Sequence, residues 1–310
     1  MPDISIITTT YNSEKFIDRT ITYMMEQQIS GYSIELILSD DASTDRTVKL
    51  LRKAQEEAPF PINIIEHPQN IGVVRNFFGA AHTATGKYLA ICDADDFWLD
   101  PQKLSKQIKY MESNPACALT YHDVAKVNSE DVGKIASRNF NQLAIQKTPH
   151  TSTLMVRSNA IDYPWPLINQ MTRMNDQLLR FRVSLHGKLV YLPHIRPTVR
   201  VVRSHSVFAS PRSELVRRKS SLHNWTLIYN YYKQSPERDQ LRRRVDGFQS
   251  SVNWLEYSKT ENLKNFIGCV WFDVRSGVAF RRMKRKIMSA LSRVAFKLIG
   301  TRDANRSHLT

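Results

Sequence analysis

Leu89-Ala90-Ile91-Cys92-Asp93-Ala94-Asp95-Asp96 carries a short apolar run straight into three carboxylates. A run of that length reads as a buried strand. Carboxylates this close repel one another, and a hard divalent cation with oxygen ligands relieves the repulsion. Mg²⁺ and Mn²⁺ are typically held by one or two carboxylates plus the phosphates of a substrate, so the cluster points to a nucleotide diphosphate at a strand end. An isolated Asp-x-Asp in a solvated loop looks the same, and the rest of the N-terminal half has to separate the two.

That half repeats one pattern. Asp3–Thr9 is rich in β-branched residues, ends in the polar turn Tyr11-Asn12-Ser13-Glu14, and leads into a helix from about Lys15 to Gln28. Ser33–Ser39 is a second strand ending at Asp40-Asp41, and Ser43-Thr44-Asp45 offers caps for a helix from about Asp45 to Glu57. Pro61–Glu66 reads as a strand, Gly72–Thr83 as a helix and Lys87–Cys92 as the strand into the acidic cluster, with Pro101 the first residue of the next helix. Alternating strands and helices predict an α/β fold with a mostly parallel central sheet flanked by helices. Ligands of such sheets bind beyond the carboxyl ends of the strands, where Tyr11, Asp40, Asp41, Asp93 and Asp95 fall.

Six pieces now carry a resemblance: Thr9-Thr10-Tyr11-Asn12, Ser39 to Asp45, Asn70-Ile71-Gly72, Arg75-Asn76, Gly86-Lys87-Tyr88 and Asp93-Ala94-Asp95-Asp96. Their order and spacing resemble the inverting family-two glycosyltransferases, which have the GT-A fold. The likeness is clear for residues 3–112, thinner to about 206 and absent beyond. It implies a catalytic domain over 1–210, with the nucleotide-sugar side in 1–112 and the acceptor side in 113–210, and a helical C-terminal region over 211–310.

The resemblance also assigns roles. Thr9 and Tyr11 belong to the nucleotide-binding set, with Tyr11 near the base. Asp41 accepts the imino hydrogen of uracil or guanine, a charge-assisted bond that suits a carboxylate. Arg75 lies near the nucleotide, Asp93 meets the ribose or a metal-bound water, and Asp95 is the direct ligand of a Mn²⁺ or Mg²⁺ cofactor on the diphosphate. Asp96 is expected to cap or turn the chain toward Phe97-Trp98. Asn175-Asp176-Gln177 opens an amphipathic run at the place of the family's catalytic base, which leaves Asp176 as the candidate, since Asn175 replaces the first acid of the usual Glu-Asp. His205, in Val201-Val202-Arg203-Ser204-His205-Ser206, resembles a late family histidine that completes the metal or diphosphate site. The other eight histidines, His150 among them, show no metal-ligand spacing along the chain. Ser152–Arg157 resembles a strand lining the acceptor side.

Composition sets outer limits. A chain of 310 residues holds one large domain plus an appendage. Cys92, Cys117 and Cys269 form no paired framework, as in a reducing compartment. No secretory signal precedes the first strand and no apolar run approaches the roughly 18 residues needed to span a bilayer. Eight of the fifteen excess positive charges fall between Gly277 and Arg302, a stretch without acids. There Phe280, Met283, Ile287, Leu291, Val294 and Leu298 recur every three or four residues between the basic ones. This basic amphipathic helix fits an anionic membrane surface, with packing on the catalytic domain as the competing role.

Taken together, the resemblance implies a metal-dependent inverting transferase using a nucleotide-diphosphate sugar, a UDP-sugar in the first instance. By the habit of that family the expected acceptor is a glycan, in particular a lipid-linked bacterial surface glycan, and the expected place is the cytoplasm, peripheral to the inner face of the plasma membrane. A nucleotidyltransferase is the alternative, but Thr8-Thr9-Thr10-Tyr11-Asn12 is no glycine-rich phosphate loop. Charge alone favours nucleic acid, and the acidic strand ends argue against it as a partner.

Overall fold

The computed structural model describes residues 1–128, 144–146, 149–161, 163–171, 175–202 and 211–260. The chain forms two compact units, Met1–Ala209 and Ser210–Thr310.

The first unit is built on β1 (Ile4–Thr10), α1 (Ile17–Met25), β2 (Ile34–Asp40), α2 (Thr47–Glu57), β3 (Ile62–Glu66), α3 (Val73–Thr83) and β4 (Tyr88–Ile91). Then follow β5 (Phe97–Trp98), α4 (Lys103–Ser113), β6 (Cys117–Tyr121), β7 (Val124–Asn128), β8 (Ala144–Gln146), β9 (Met155–Arg157), α5 (Trp165–Ile168), α6 (Asn175–Ser184), β10 (Lys188–Tyr191) and β11 (Thr198–Val202). A seven-stranded sheet has the order β10-β6-β9-β4-β1-β2-β3. Strands β4, β1, β2 and β3 are parallel, and β9 enters antiparallel between β4 and β6. The parallel strands are apolar almost throughout because helices cover both sheet faces. Ile4, Ile6, Leu36, Leu38 and Ala90 pack with Ile17 and Met24 of α1 and Leu104 and Ile108 of α4. On the other side α3 lies against β1 and β2 with Val74, Phe77 and Phe78 buried.

Two glycines of the motif set have backbone reasons. A Cβ on Gly86 would stand 2.5 Å from the Ser5 nitrogen, so only glycine admits the close approach that starts β4. Gly72 has φ +88°, a conformation an L side chain rarely adopts, at the entry to α3.

A second sheet, β5-β11-β7-β8, stands beside the first. Its apolar face, Phe97, Leu99, Val127, Val199 and Val201, packs with Phe16 and Tyr23. This sheet was not evident in the sequence, because its strands are short and two of its pairings join residues about a hundred positions or fewer apart through β5 and β11. Helix α4 begins at Lys103 and not at Pro101: the Asp100 side chain accepts the Gln102 N–H at 2.9 Å and its carbonyl the Lys103 N–H at 3.1 Å, so Pro101 sits in a closed turn ahead of the helix.

The second unit contains α7 (Pro211–Tyr231) and α8 (Arg238–Thr260), which pack on each other with Trp225, Ile228, Leu241 and Val252 buried. Among the described residues no helix is long and apolar enough to cross a membrane. The basic stretch 277–302 lies outside the described residues.

Candidate functional site

The ends of β1 and β2 meet first. The Thr10 hydroxyl donates to Asp40 Oδ1 at 2.7 Å, and Asp40 also accepts the Ser43 N–H at 2.8 Å and the Ser43 hydroxyl at 2.6 Å. Asp40 is thereby committed to holding the loop in which Ala42 has φ +61°. Asp41 is buried and accepts the N–H groups of Ile71 at 2.7 Å and Gly72 at 3.0 Å, fixing the entry to α3. Each carboxylate oxygen keeps acceptor capacity beyond those bonds. Tyr11 is 53 % exposed at the mouth of β1, Thr9 is half-buried beside it, and Arg75 is exposed on the first turn of α3. Thr9, Tyr11, Asp41 and Arg75 therefore gather around one end of the sheet.

Next to them, β4 releases the acid turn. The Asp96 N–H returns to the Asp93 carbonyl at 3.0 Å, and the Thr20 hydroxyl lies 2.9 Å from the Ala94 carbonyl and 2.8 Å from that of Asp96. Ser152 ties the turn from the far side. Its hydroxyl accepts the Asp93 N–H at 3.0 Å and donates to Asp96 Oδ2 at 2.5 Å, while its carbonyl accepts Trp98 Nε1 at 2.8 Å. His150 Nδ1 lies 3.5 Å from Asp96 Oδ2 and accepts the Ser152 N–H at 3.4 Å. One ligand atom each from Asp93, Asp96 and His150 falls within 4.8 Å of the others.

Electrostatics describe the same place. Burial, then the neighbouring Asp95 charge, pushes the Asp93 carboxyl up to about 7, against the pull of Arg200. Burial and the charges of Asp93 and Asp95 hold Asp96 well above the usual carboxylate range. Burial and then Arg200, Arg180 and Lys126 push His150 down to about 3, so its imidazole is neutral and can offer a lone pair. Two crowded carboxylates, Asp96 buried and Asp93 half-buried, and a neutral imidazole suit a divalent cation, which would offset the burial and repulsion that raise both acids. Asp95 is half-buried at the same turn.

Asp176 stands in the first turn of α6 and pairs with Arg180 at 2.6 Å, and Arg180 also donates to the Pro149 carbonyl at 3.3 Å. The Asp176 charge is one of those raising Asp93, so the α6 entry faces the acid turn.

Three expectations need correction. Ser152 does not begin a strand: Thr151–Thr153 is a 3₁₀ turn and the strand is Met155–Arg157, because the Thr153 N–H and hydroxyl both bond the His150 carbonyl, at 2.9 and 2.7 Å. Asp96 does more than turn the chain, since its carboxylate is buried against Ser152 and His150. His150 joins a potential ligand group after all, its partners lying more than fifty positions away, where spacing gives no sign of them. His205 falls outside the described residues, so its place beside this turn is not described. Reading the sequence singled out neither Arg200 nor Lys126.

The sequence and the fold are shared with known proteins. A sequence model of the family described as Glycosyl transferase family 2 matches residues 5–161, half of the chain. A Mycobacterium tuberculosis protein is 31 % identical over 211 residues, 66 % of this chain, and the match spans only 59 % of that relative's length. The putative teichuronic acid biosynthesis glycosyltransferase TuaG of Bacillus subtilis is 34 % identical over 122 residues, 39 % of this chain and 46 % of that one. S. aureus TarS 1-349 in complex with UDP-GlcNAc superposes with a TM-score of 0.55 at 17 % identity, covering 90 % of this chain and 93 % of that one. The mannosyltransferase PcManGT from Pyrobaculum calidifontis, in complex with GDP-Man and Mn²⁺, gives 0.59 at 17 % identity, covering 94 % and 80 %. At such identities these two structures show a shared fold, the GT-A type.

Proposed function

The chain belongs to glycosyl transferase family 2, and we propose that this glycosyltransferase moves a sugar, with inversion, from a nucleotide-diphosphate donor to an acceptor hydroxyl. The observation that carries the reading is the convergence of Asp93, Asp96 and His150 two strands from Asp41, with Tyr11 at the strand between them. Neighbouring strands are ~4.8 Å apart, so the two acidic sites are separated by roughly 10 Å across the sheet end, a gap a nucleoside diphosphate bridges.

In this reading Thr9, Tyr11, Asp41 and Arg75 bind the nucleoside, a uridine first. Asp93 meets the ribose or a metal-bound water, Asp95 is the direct ligand of Mn²⁺ or Mg²⁺ with His205 as a further one, and Asp96 and His150, grouped with Asp93, complete the surroundings of the cation. When bound, such a cation neutralises charge on the departing diphosphate. Asp176 takes the proton of the attacking hydroxyl, its carboxylate oriented by the pair with Arg180. Residues 1–112 serve the donor and 113–210 the acceptor.

The acceptor in this proposal is a lipid-linked bacterial surface glycan, approached from the cytoplasmic side with the basic stretch 277–302 on the anionic membrane. The charge and periodicity of that stretch support this, as does the relative named for teichuronic acid biosynthesis. A panel of nucleotide sugars with Mn²⁺, read by donor hydrolysis and thermal shift, tests the function. One donor class should both stabilise the protein and be hydrolysed, and silence across the panel would refute the assignment.

A further inference from the structure

The second sheet presents two cations side by side at the acid turn. Lys126 of β7 and Arg200 of β11 are direct cross-strand partners. Successive side chains alternate along a strand, and the two faces of β11 have distinct surroundings. Val199 and Val201 point into the apolar cluster with Val127, whereas the Thr198 hydroxyl reaches the Ser152 carbonyl at 3.3 Å. Arg200 shares the face of Thr198 and stands roughly 7 Å further along the strand, on the side of the second sheet that meets the turn Ser152 ties. Lys126 lies ~4.8 Å across the sheet from it and is exposed.

Like charges directly opposite on paired strands are destabilising. Among the described residues, no carboxylate comes within 4.0 Å of either cation, whereas Arg180 has Asp176. Arg200 already draws on the charges of Asp93 and Asp96, and Lys126 beside it is exposed, so an oxyanion set between the two would meet both positive charges. The position of the pair decides which substrate carries it. The base-binding residues Tyr11, Asp41 and Arg75 belong to β1, β2 and α3, on one side of the acid turn, and the cations belong to β7 and β11. Arg180, the partner of the proposed base, donates to the Pro149 carbonyl at 3.3 Å, and Thr198, two residues before Arg200, reaches the Ser152 carbonyl, so α6 and β11 border the same turn.

We infer that Lys126 and Arg200 form a binding site for a phosphate group of the acceptor, set beside the hydroxyl that Asp176 deprotonates. The inference rests on the reading of that crevice as the transfer site and adds the substrate class: an acceptor bearing a phosphate ester or diphosphate near its nucleophilic hydroxyl. A phosphate carried by a glycan and one carried by a lipid present the same oxyanion, and a planar guanidinium beside an ammonium suits either.

The test uses the full chain with Mn²⁺ and saturating UDP or GDP, whichever binds, titrated calorimetrically with glycerol 1-phosphate and, separately, with a short prenyl diphosphate. The expected result is saturable binding that leaves nucleotide affinity intact. Glycerol 1-phosphate binding the tighter assigns the phosphate to a glycan, and prenyl diphosphate the tighter assigns it to a lipid carrier. Lys126→Gln should weaken the favoured probe about tenfold, the worth of one charge-assisted contact, and Lys126→Arg should restore most of it. Lys109→Gln, an exposed lysine on α4, controls for general surface charge and should have no effect. Absence of binding by both probes, displacement of the nucleotide by them, or equal loss in the Lys109 variant would overturn the inference. If neither nucleotide binds, the transferase reading fails at the donor, and the same titrations on the nucleotide-free protein still decide for or against the pair.

Discussion

Ser152 shows how one small side chain fixes a functional turn. Its hydroxyl serves both ends of Asp93–Asp96 while its carbonyl anchors Trp98, and Ser152, Asp96 and Trp98 are all buried. Ser152→Ala would leave the Asp93 N–H and the Asp96 carboxylate short of partners inside the protein, a loss of about 1–3 kcal/mol. Denaturant unfolding should show that loss, and metal-dependent nucleotide affinity should fall with it; a variant as stable and as tight as the wild type would remove Ser152 from the site. Nothing in the sequence announced this residue, because its partners lie more than fifty positions upstream. The opening of α6 at Asn175-Asp176 was more legible, since an acid at the head of an amphipathic run is a local signal. Asp176→Asn preserves shape, so donor affinity should hold while turnover drops by about 10² or more, the usual worth of a positioned base. Near wild-type turnover would move the role to another carboxylate, Asp123 first, whose Oδ1 accepts the Tyr191 hydroxyl at 2.6 Å.

At the scale of elements, α4 holds an unusual group behind the acid turn. Lys103 is fully buried, its ammonium donating to Gln107 Oε1 at 2.7 Å and lying 4.1 Å from the centre of the Trp98 ring. Burial pushes it down to about 7 against the charges of Cys92 and Asp100. An unfolded lysine titrates near 10.5, so between pH 7 and 10 the unfolded chain binds a proton that the native state does not. Stability then rises with pH across that window, by up to ~1.4 kcal/mol per unit. Unfolding measured from pH 7 to 10 should show this slope in the wild type relative to Lys103→Met, and parallel curves for the two proteins would contradict it. The strands and helices up to α3 were readable to within two or three residues because period, caps and glycines agree there. The second sheet was not, since β5 has two residues and β11 pairs with strands far away in sequence, so long-range register decides them. The same reason hid Lys126 and Arg200 as a pair.

The whole molecule joins an α/β unit to a second unit whose sequence ends in a strongly basic stretch, and the stretch carries its own prediction. Each Lys or Arg near an anionic bilayer contributes on the order of 1 kcal/mol before screening, so eight give firm, salt-sensitive attachment. The full chain should sediment with anionic vesicles and be released by high salt, whereas a chain ending at Ser276 should stay in solution and still bind donor. Loss of thermal stability on truncation, with weak vesicle binding by both chains, would instead assign the stretch to packing. The central claim concerns the strand ends, and calorimetry addresses it most directly: UDP and GDP titrated into the full chain and into Asp95→Ala, each with Mn²⁺ and with a chelator. One nucleotide should bind the wild type only with the metal, and Asp95→Ala should lose that dependence while melting as a folded protein. Affinity indifferent to the metal, or equal in both proteins, would contradict a cation-held diphosphate at the end of β4.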